Sequence, residues 1–182
     1  IDWRQFCQGS HLSPLNKCAM MIEVWHNSFK TIQRKESWRW LKEIGTNAYF
    51  PTHSFWALAR LASCAKALCP HPRNLDDKQI LAINENDGMI GVTYARQFLN
   101  QDINKACIDD VYRHIDYMLN LMGNDDHIGF GSDFDGTTLP YDMKGVQDYK
   151  AIVEYLQSKN YSDSTIEKIT HKNALNLLQK IL

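Results

Sequence analysis

Two periodicities alternate along most of this chain. Apolar residues recur at helical intervals at Phe55, Leu58, Leu61, Ala65 and Leu68, which predicts a helix over 55–68. Cys69-Pro70-His71-Pro72 breaks it. Asp76-Asp77 has the character of a helix cap, and Ile80, Leu81 and Ile83 of the helix Lys78 to Asn86 would face a sheet. Asp87-Gly88 turns the chain into Met89 to Tyr94, a near-continuous apolar run of the kind buried in parallel sheets. The clearest helix runs from Asn104 to Met122. There Ile108, Val111, Ile115, Met118/Leu119 and Met122 form one stripe, and Gly123 stops it.

A second strand, Ile128 to Ser132, follows, and a loop through Pro140 leads to a helix from Val146 to Lys159. Ser164-Thr165-Ile166-Glu167 has capping-box spacing. The chain closes on a helix from His171 to Leu182, with Leu175, Leu178 and Leu182 as its buried face. Helix-strand-helix-strand-helix is the β/α alternation of a parallel sheet, and it looks like the last half of a barrel with its closing helices. Residues 1–50 differ. They hold four of the five tryptophans (Trp3, Trp25, Trp38, Trp40) and show no clean alternation. Met20 to Trp25 is read as a short strand and Phe29 to Ile44 as a helix ended by Gly45.

Composition narrows this picture. The 182 residues are 44% hydrophobic, enough for one domain with a real core. They are too few for a complete eight-fold barrel, which needs about 250. A formal net charge of −1 gives no electrostatic case for nucleic acid or an anionic membrane. No apolar run of transmembrane length is present. The start at Ile1, without Met or a signal peptide, suggests a fragment or processed chain. Five cysteines (Cys7, Cys18, Cys64, Cys69, Cys107), an odd number without framework spacing, favour reduced thiols and an intracellular setting.

The chemistry gathers at His127-Ile128-Gly129-Phe130-Gly131-Ser132-Asp133-Phe134-Asp135-Gly136. A persisting strand would point Asp133 and Asp135 the same way, and Gly136 argues that the chain turns there. Carboxylates at the C-terminal tip of a buried strand are where α/β barrels keep their chemistry. The plainer reading is a turn in which one Asp caps and the other is solvated. Among the histidines, His127 reads as a strand-end hydrogen-bonding group and His114 as a core or interface residue. His171, two residues before Asn173, reads as a cap for the final helix.

This ten-residue stretch resembles the signature of the membrane (renal-type) dipeptidase family, zinc-dependent amidohydrolase-like barrels. Ser63-Cys64-Ala65-Lys66-Ala67-Leu68-Cys69-Pro70-His71-Pro72-Arg73-Asn74-Leu75-Asp76-Asp77 resembles the family's block after its second zinc-binding histidine. Gly88-Met89-Ile90-Gly91-Val92 resembles the strand that follows, and the likeness runs from about Ser63 to Leu182. It implies a TIM-type (β/α) barrel, of which residues 51–182 are the C-terminal part behind an atypical or disrupted segment, 1–50. It also implies dipeptide hydrolysis by metal-activated water at a two-zinc site. Arg73 matches the arginine that grips the substrate carboxylate, a task suited to a two-pronged guanidinium. Asp133 matches the acidic residue that handles the proton on the leaving nitrogen, and Asp135 is assigned to shaping the loop.

The zinc ligands depart from the pattern. In the register of Ser63, the second zinc histidine is replaced by Ala62, which cannot bind metal, so a lost segment between Ala62 and Ser63 is the simplest account. His53, in Thr52-His53-Ser54, and His11, in Ser10-His11-Leu12-Ser13, are the remaining candidate ligands. With so few ligands, the chain by itself is expected to turn over little. The alternative is a catalytically inactive fragment or paralogue, a half-barrel that only pairs with another chain. Unpaired strand edges would also favour homo-oligomers.

Overall fold

A computed structural model describes residues 59–134 and 136–181 of the chain. The segment 1–50, with its anticipated strand and helix, lies outside the described residues, as do His11, His53 and Asp135. Three strands form a parallel sheet in the order β1 (Ala59–Ser63), β2 (Met89–Thr93), β3 (Ile128–Ser132). β2 lies in the middle and every one of its residues is buried. That is why it reads as an unbroken apolar run rather than an alternating one.

Over its described residues, 59–68, the helix expected over 55–68 is overturned, and Ala59–Ser63 form β1 instead. Its residues Ala59, Arg60 and Leu61 pair with Met89, Ile90 and Gly91, and the ladder then slips so that Ser63 meets Val92. Ala62 is the extra residue of that bulge. Alanine, leucine and arginine are good helix formers, but pairing with a buried central strand outweighs intrinsic propensity. Downstream the expectations hold better. α1 (Asp77–Glu85) is capped by Asp76, which accepts from the Gln79 amide at 2.9 Å while the Asp76 amide donates to Gln79 Oε1 at 3.1 Å. Ile80 is buried, and Leu81 and Ile83 are half-buried.

After β2 comes a single turn, α2 (Arg96–Leu99), then α3 (Ile108–Met122). The stripe Ile108, Val111, Ile115, Met118 and Met122 is buried, each side chain worth about 1.5–3 kcal/mol relative to exposure. Gly123 ends α3 in the left-handed region at φ 71°, with its amide on Leu119 O at 2.9 Å. The helix begins at Ile108, the first residue of that stripe, rather than at the expected Asn104. Asp110 accepts from the Cys107 amide at 3.1 Å, and the Asp142 carboxylate accepts from the Ile108 amide at 3.0 Å.

Beyond β3, a 3-10 turn (Val146–Asp148) precedes α4 (Tyr149–Ser158), where one helix was expected. α5 (Asp163–Glu167) is capped by Ser162 rather than Ser164, through the Thr165 amide at 3.1 Å. A π turn (Lys168–Lys172) leads into α6 (Asn173–Ile181), in which Asn173 and Leu177 are buried and Leu175 half-buried, while the side chains of Leu178 and Leu182 lie outside the described residues. Asn173 Nδ2 donates to Asp125 O at 2.7 Å and Ile128 O at 2.8 Å, tying α6 to the start of β3. No helix among the described residues is long and apolar enough to cross a membrane.

Candidate functional site

Because the three strands are parallel, their C-terminal ends share one edge, and the candidate residues follow those ends. The loop after β1 closes on itself. Ala65 bridges Leu75, the Lys66 amide donates to Leu75 O at 2.7 Å, and the Leu75 amide donates to Cys64 O at 2.9 Å. Asn74, buried to 3% exposure, pins the interior. Its side-chain oxygen accepts from the Cys64 amide at 3.1 Å, and its Nδ2 donates to Cys69 O at 2.9 Å and Phe98 O at 2.8 Å.

Arg73 sits on this braced loop. Its amide donates to His71 Nδ1 at 3.2 Å, and its carbonyl accepts from the Ser63 hydroxyl at 3.4 Å. Its side chain is exposed, with the guanidinium carbon 5.0 Å from the centre of the Phe98 ring. The backbone is therefore fixed from two sides while the residue as a whole stays exposed.

His114 supports the loop from beneath. Its Nδ1 accepts from the Ala65 amide at 3.0 Å, which makes Nε2 the protonated nitrogen, donating to Leu99 O at 3.0 Å. Burial lowers its pKa from the ordinary value of 6.5 and favours the neutral ring. A cavity of about 80 Å³ lies beside it, lined by Leu68, Asn100, Asp110 and Arg113 among others.

Asp133 follows β3 on a backbone that ordinary residues avoid. Ser132 has φ 36° and Asp133 φ 72°, two consecutive non-glycine residues in the left-handed region. Such conformations cost on the order of 1–3 kcal/mol each and persist only where neighbours impose them. Here the Thr93 hydroxyl and the Tyr94 amide both donate to Ser132 O, at 3.4 and 3.0 Å. The Gly136 amide donates to Asp133 O at 3.2 Å, and a Cβ at 136 would come within 2.6 Å of Asp133 Oδ1. The strand thus ends at Ser132, before both carboxylates, so its alternation does not carry on through Asp133. Tyr94 stacks edge-on against Phe130 and Phe134, with centroids 6.0 and 5.4 Å away. Its hydroxyl and that of Thr137 are buried without a hydrogen-bond partner.

Arg73 and Asp133 accordingly stand on the same sheet edge with β2 between them. They are linked through Ser63, Cys64 (whose thiol donates to Thr93 O at 3.5 Å), Thr93 and Ser132. Sequence reasoning missed Asn74, Phe98, Thr93 and Tyr94. Position was the available signal for three of them, Asn74 beside the matched arginine and Thr93 and Tyr94 at the end of the buried strand, whereas Phe98 in α2 carried none.

The described residues do not fit a resident zinc. Among them, no group of three or more His, Cys, Asp or Glu side chains stands close enough to hold an ion. His127 Nδ1 bonds Gly88 O at 2.7 Å, the strand-end role expected of it. His171 Nδ1 pairs with the Thr170 hydroxyl at 3.0 Å instead of capping α6. Both nitrogens of His114 are engaged, and Cys64, Cys69 and Cys107 are free thiols. Burial is the largest influence on each of the three and raises its pKa, disfavouring the thiolate that binds metal.

The sequence profile described as membrane dipeptidase, peptidase family M19, matches residues 55–181. An uncharacterised protein of Klebsiella pneumoniae is 36% identical over 146 residues, covering 78% of this chain and 54% of that protein. The dipeptidase aclJ of Aspergillus oryzae is 36% identical over 118 residues, covering 64% of this chain and 28% of its own. The chain thus spans about half of the first relative and under a third of the second. A metallo peptidase of Rhodobacter sphaeroides, solved with a phosphinate mimic of the dipeptide L-Ala-D-Ala, superposes with a TM-score of 0.65 at 33% identity. The likeness covers 69% of this chain and 36% of that one. The dipeptidase AC, also a metallo peptidase, gives 0.64 at 34%, over 68% of this chain and 37% of that one.

Proposed function

The chain belongs to the membrane dipeptidase family, and from that premise we propose that it serves dipeptide hydrolysis. Its three parallel strands are read as strands of the C-terminal half of a TIM-type barrel. Arg73 holds the free carboxylate of the substrate, and Asp133 handles the proton at the leaving nitrogen. Water adds to the acyl carbon and gives up a proton to Asp133, the C–N bond breaks, and the amine leaves with the proton that Asp133 passes on to it.

The observation that carries this reading is the Arg73 loop. It braces the backbone of one arginine, an exposed residue, on the edge that also ends in Asp133. Zinc, the metal expected from the resemblance, needs ligands beyond the described residues, and His11 and His53 are the candidates. No step above depends on it.

The test is binding and turnover of free and C-terminally amidated dipeptides by the purified chain, with zinc quantified and added in parallel. Arg73→Lys keeps the charge but loses the paired geometry. A charge-assisted bond is worth about 1.5–3 kcal/mol, so affinity for free dipeptides should fall roughly tenfold to a hundredfold. Amidated dipeptides should bind poorly from the outset and hardly worse to the variant. Asp133→Asn should cut kcat while leaving zinc content unchanged, and Asp135→Asn should cost far less. Equal affinity for free and amidated dipeptides would overturn the role of Arg73. Binding without turnover at any zinc level would favour the inactive, partner-binding half-barrel.

A further inference from the structure

Arginine has a long, rotamer-rich side chain, and immobilising it on binding costs free energy that a pre-placed side chain has already spent. Arg73 is exposed, and no carboxylate among the described residues pairs with it. Left to itself it would sample many rotamers. Yet its guanidinium lies 5.0 Å from the centre of Phe98, a ring that is only 3% exposed.

That ring is itself held. His71 packs against it with centroids 4.5 Å apart and planes tilted by 54°. The Phe98 amide donates to Ala95 O at 2.9 Å, and its carbonyl accepts from Asn74, the residue next to Arg73. His71 in turn accepts from the Arg73 amide. Arginine, ring and loop therefore brace one another.

We propose that Phe98 is a positioning residue for Arg73: the buried ring, backed by His71, is a shelf that sets the direction of the guanidinium before substrate arrives. This deepens the proposed function and rests on its reading of Arg73. A guanidinium against an aromatic face spends its own face on the ring and keeps its in-plane N–H edge for a carboxylate. Stacking and two-pronged capture do not compete. The shelf selects for a substrate with a free carboxylate without touching that substrate.

The experiment combines NMR with calorimetry on the full chain. Ring current from Phe98 should displace the Arg73 Hδ resonances upfield; Phe98→Leu should abolish that displacement and Phe98→Tyr should keep it. Phe98→Leu should weaken binding of a free dipeptide about two- to fivefold, the size of an exposed cation–π contact. Phe98→Tyr should bind as the parent does, and amidated dipeptide should respond to neither change. Combined with Arg73→Ala, Phe98→Leu should add nothing, an effect that a merely structural role would not give.

Wild-type Arg73 protons at ordinary shifts would overturn the proposal. So would unchanged affinity in a folded Phe98→Leu chain whose Arg73→Ala counterpart binds poorly. If Arg73→Ala binds free dipeptide as well as the parent, the carboxylate reading fails instead, and the ring-current shift alone judges the shelf. Should Phe98→Leu not fold, the wild-type displacement and its retention in Phe98→Tyr decide.

Discussion

Replacing Asn74 should loosen the whole loop that carries Arg73. Asn74→Ala removes three hydrogen bonds at a site 3% exposed: one accepted from the Cys64 amide and two donated to the Cys69 and Phe98 carbonyls. At about 1 kcal/mol net for each bond, the loss is about 3 kcal/mol, more if the stranded groups stay dry. For a chain of this size that lowers Tm by roughly 6–12 °C. Asn74→Asp is the sharper probe. It preserves the size and the acceptor facing Cys64, but turns a carboxylate oxygen toward two carbonyls that now lack donors. It should therefore be at least as damaging as alanine, although it is the more conservative change. Urea and thermal unfolding of the three chains, followed by far-UV circular dichroism, measure both effects. An Asp variant within about 0.5 kcal/mol of the parent would refute the two donated bonds and the bracing argument built on them.

Two further outcomes are expected. Because burial lowers the His114 pKa below 6.5, the unfolded chain binds the extra proton as pH falls below that value. The stability His114 contributes is thus present above pH 6.5 and lost beneath it, at up to about 1.4 kcal/mol per pH unit. Urea unfolding between pH 5 and 8 should show this slope, and His114→Gln should flatten it, the remainder coming from groups such as half-buried His171; identical slopes would contradict the assignment. Gly123→Ala meets nothing within 4 Å but forces a side chain to φ 71°, so its cost is backbone strain alone. About 1–2 kcal/mol should be lost in a thermal melt, and Gly123→Asn should recover part of it.

What the sequence made legible was local. β3 falls on the predicted Ile128–Ser132, and the α3 stripe is buried as its spacing implies, because period and burial coincide there. The errors lie where distant residues decide. Ala59–Ser63 has helical spacing, yet becomes a strand through pairing with Met89–Val92. α3 starts at Ile108 because Asp142, far along the chain, caps it. For the candidate site, resemblance nominated Arg73 and Asp133, but not what shapes their surroundings. Nothing in Asn74 or Phe98 as letters signals that one staples the loop and the other lies beneath its arginine. The left-handed pair Ser132-Asp133 is equally silent, since neither residue type demands φ above zero.

The parallel sheet also bears on how the chain acquires its structure. Ala59 must find Met89, and Ile90 must find Ile128, so each pairing closes a long loop before any ladder bond can form. Loop-closure entropy grows only with the logarithm of length, and it separates the two closures by about 0.2 kcal/mol. Entropy therefore does not choose which unit nucleates; the helix that bridges each pair does. α3 offers fifteen residues with a continuous buried stripe, whereas α1 offers nine with Ile80 alone buried. The β2–α3–β3 unit should accordingly form the folding nucleus, with β1 and the Arg73 loop docking onto it late.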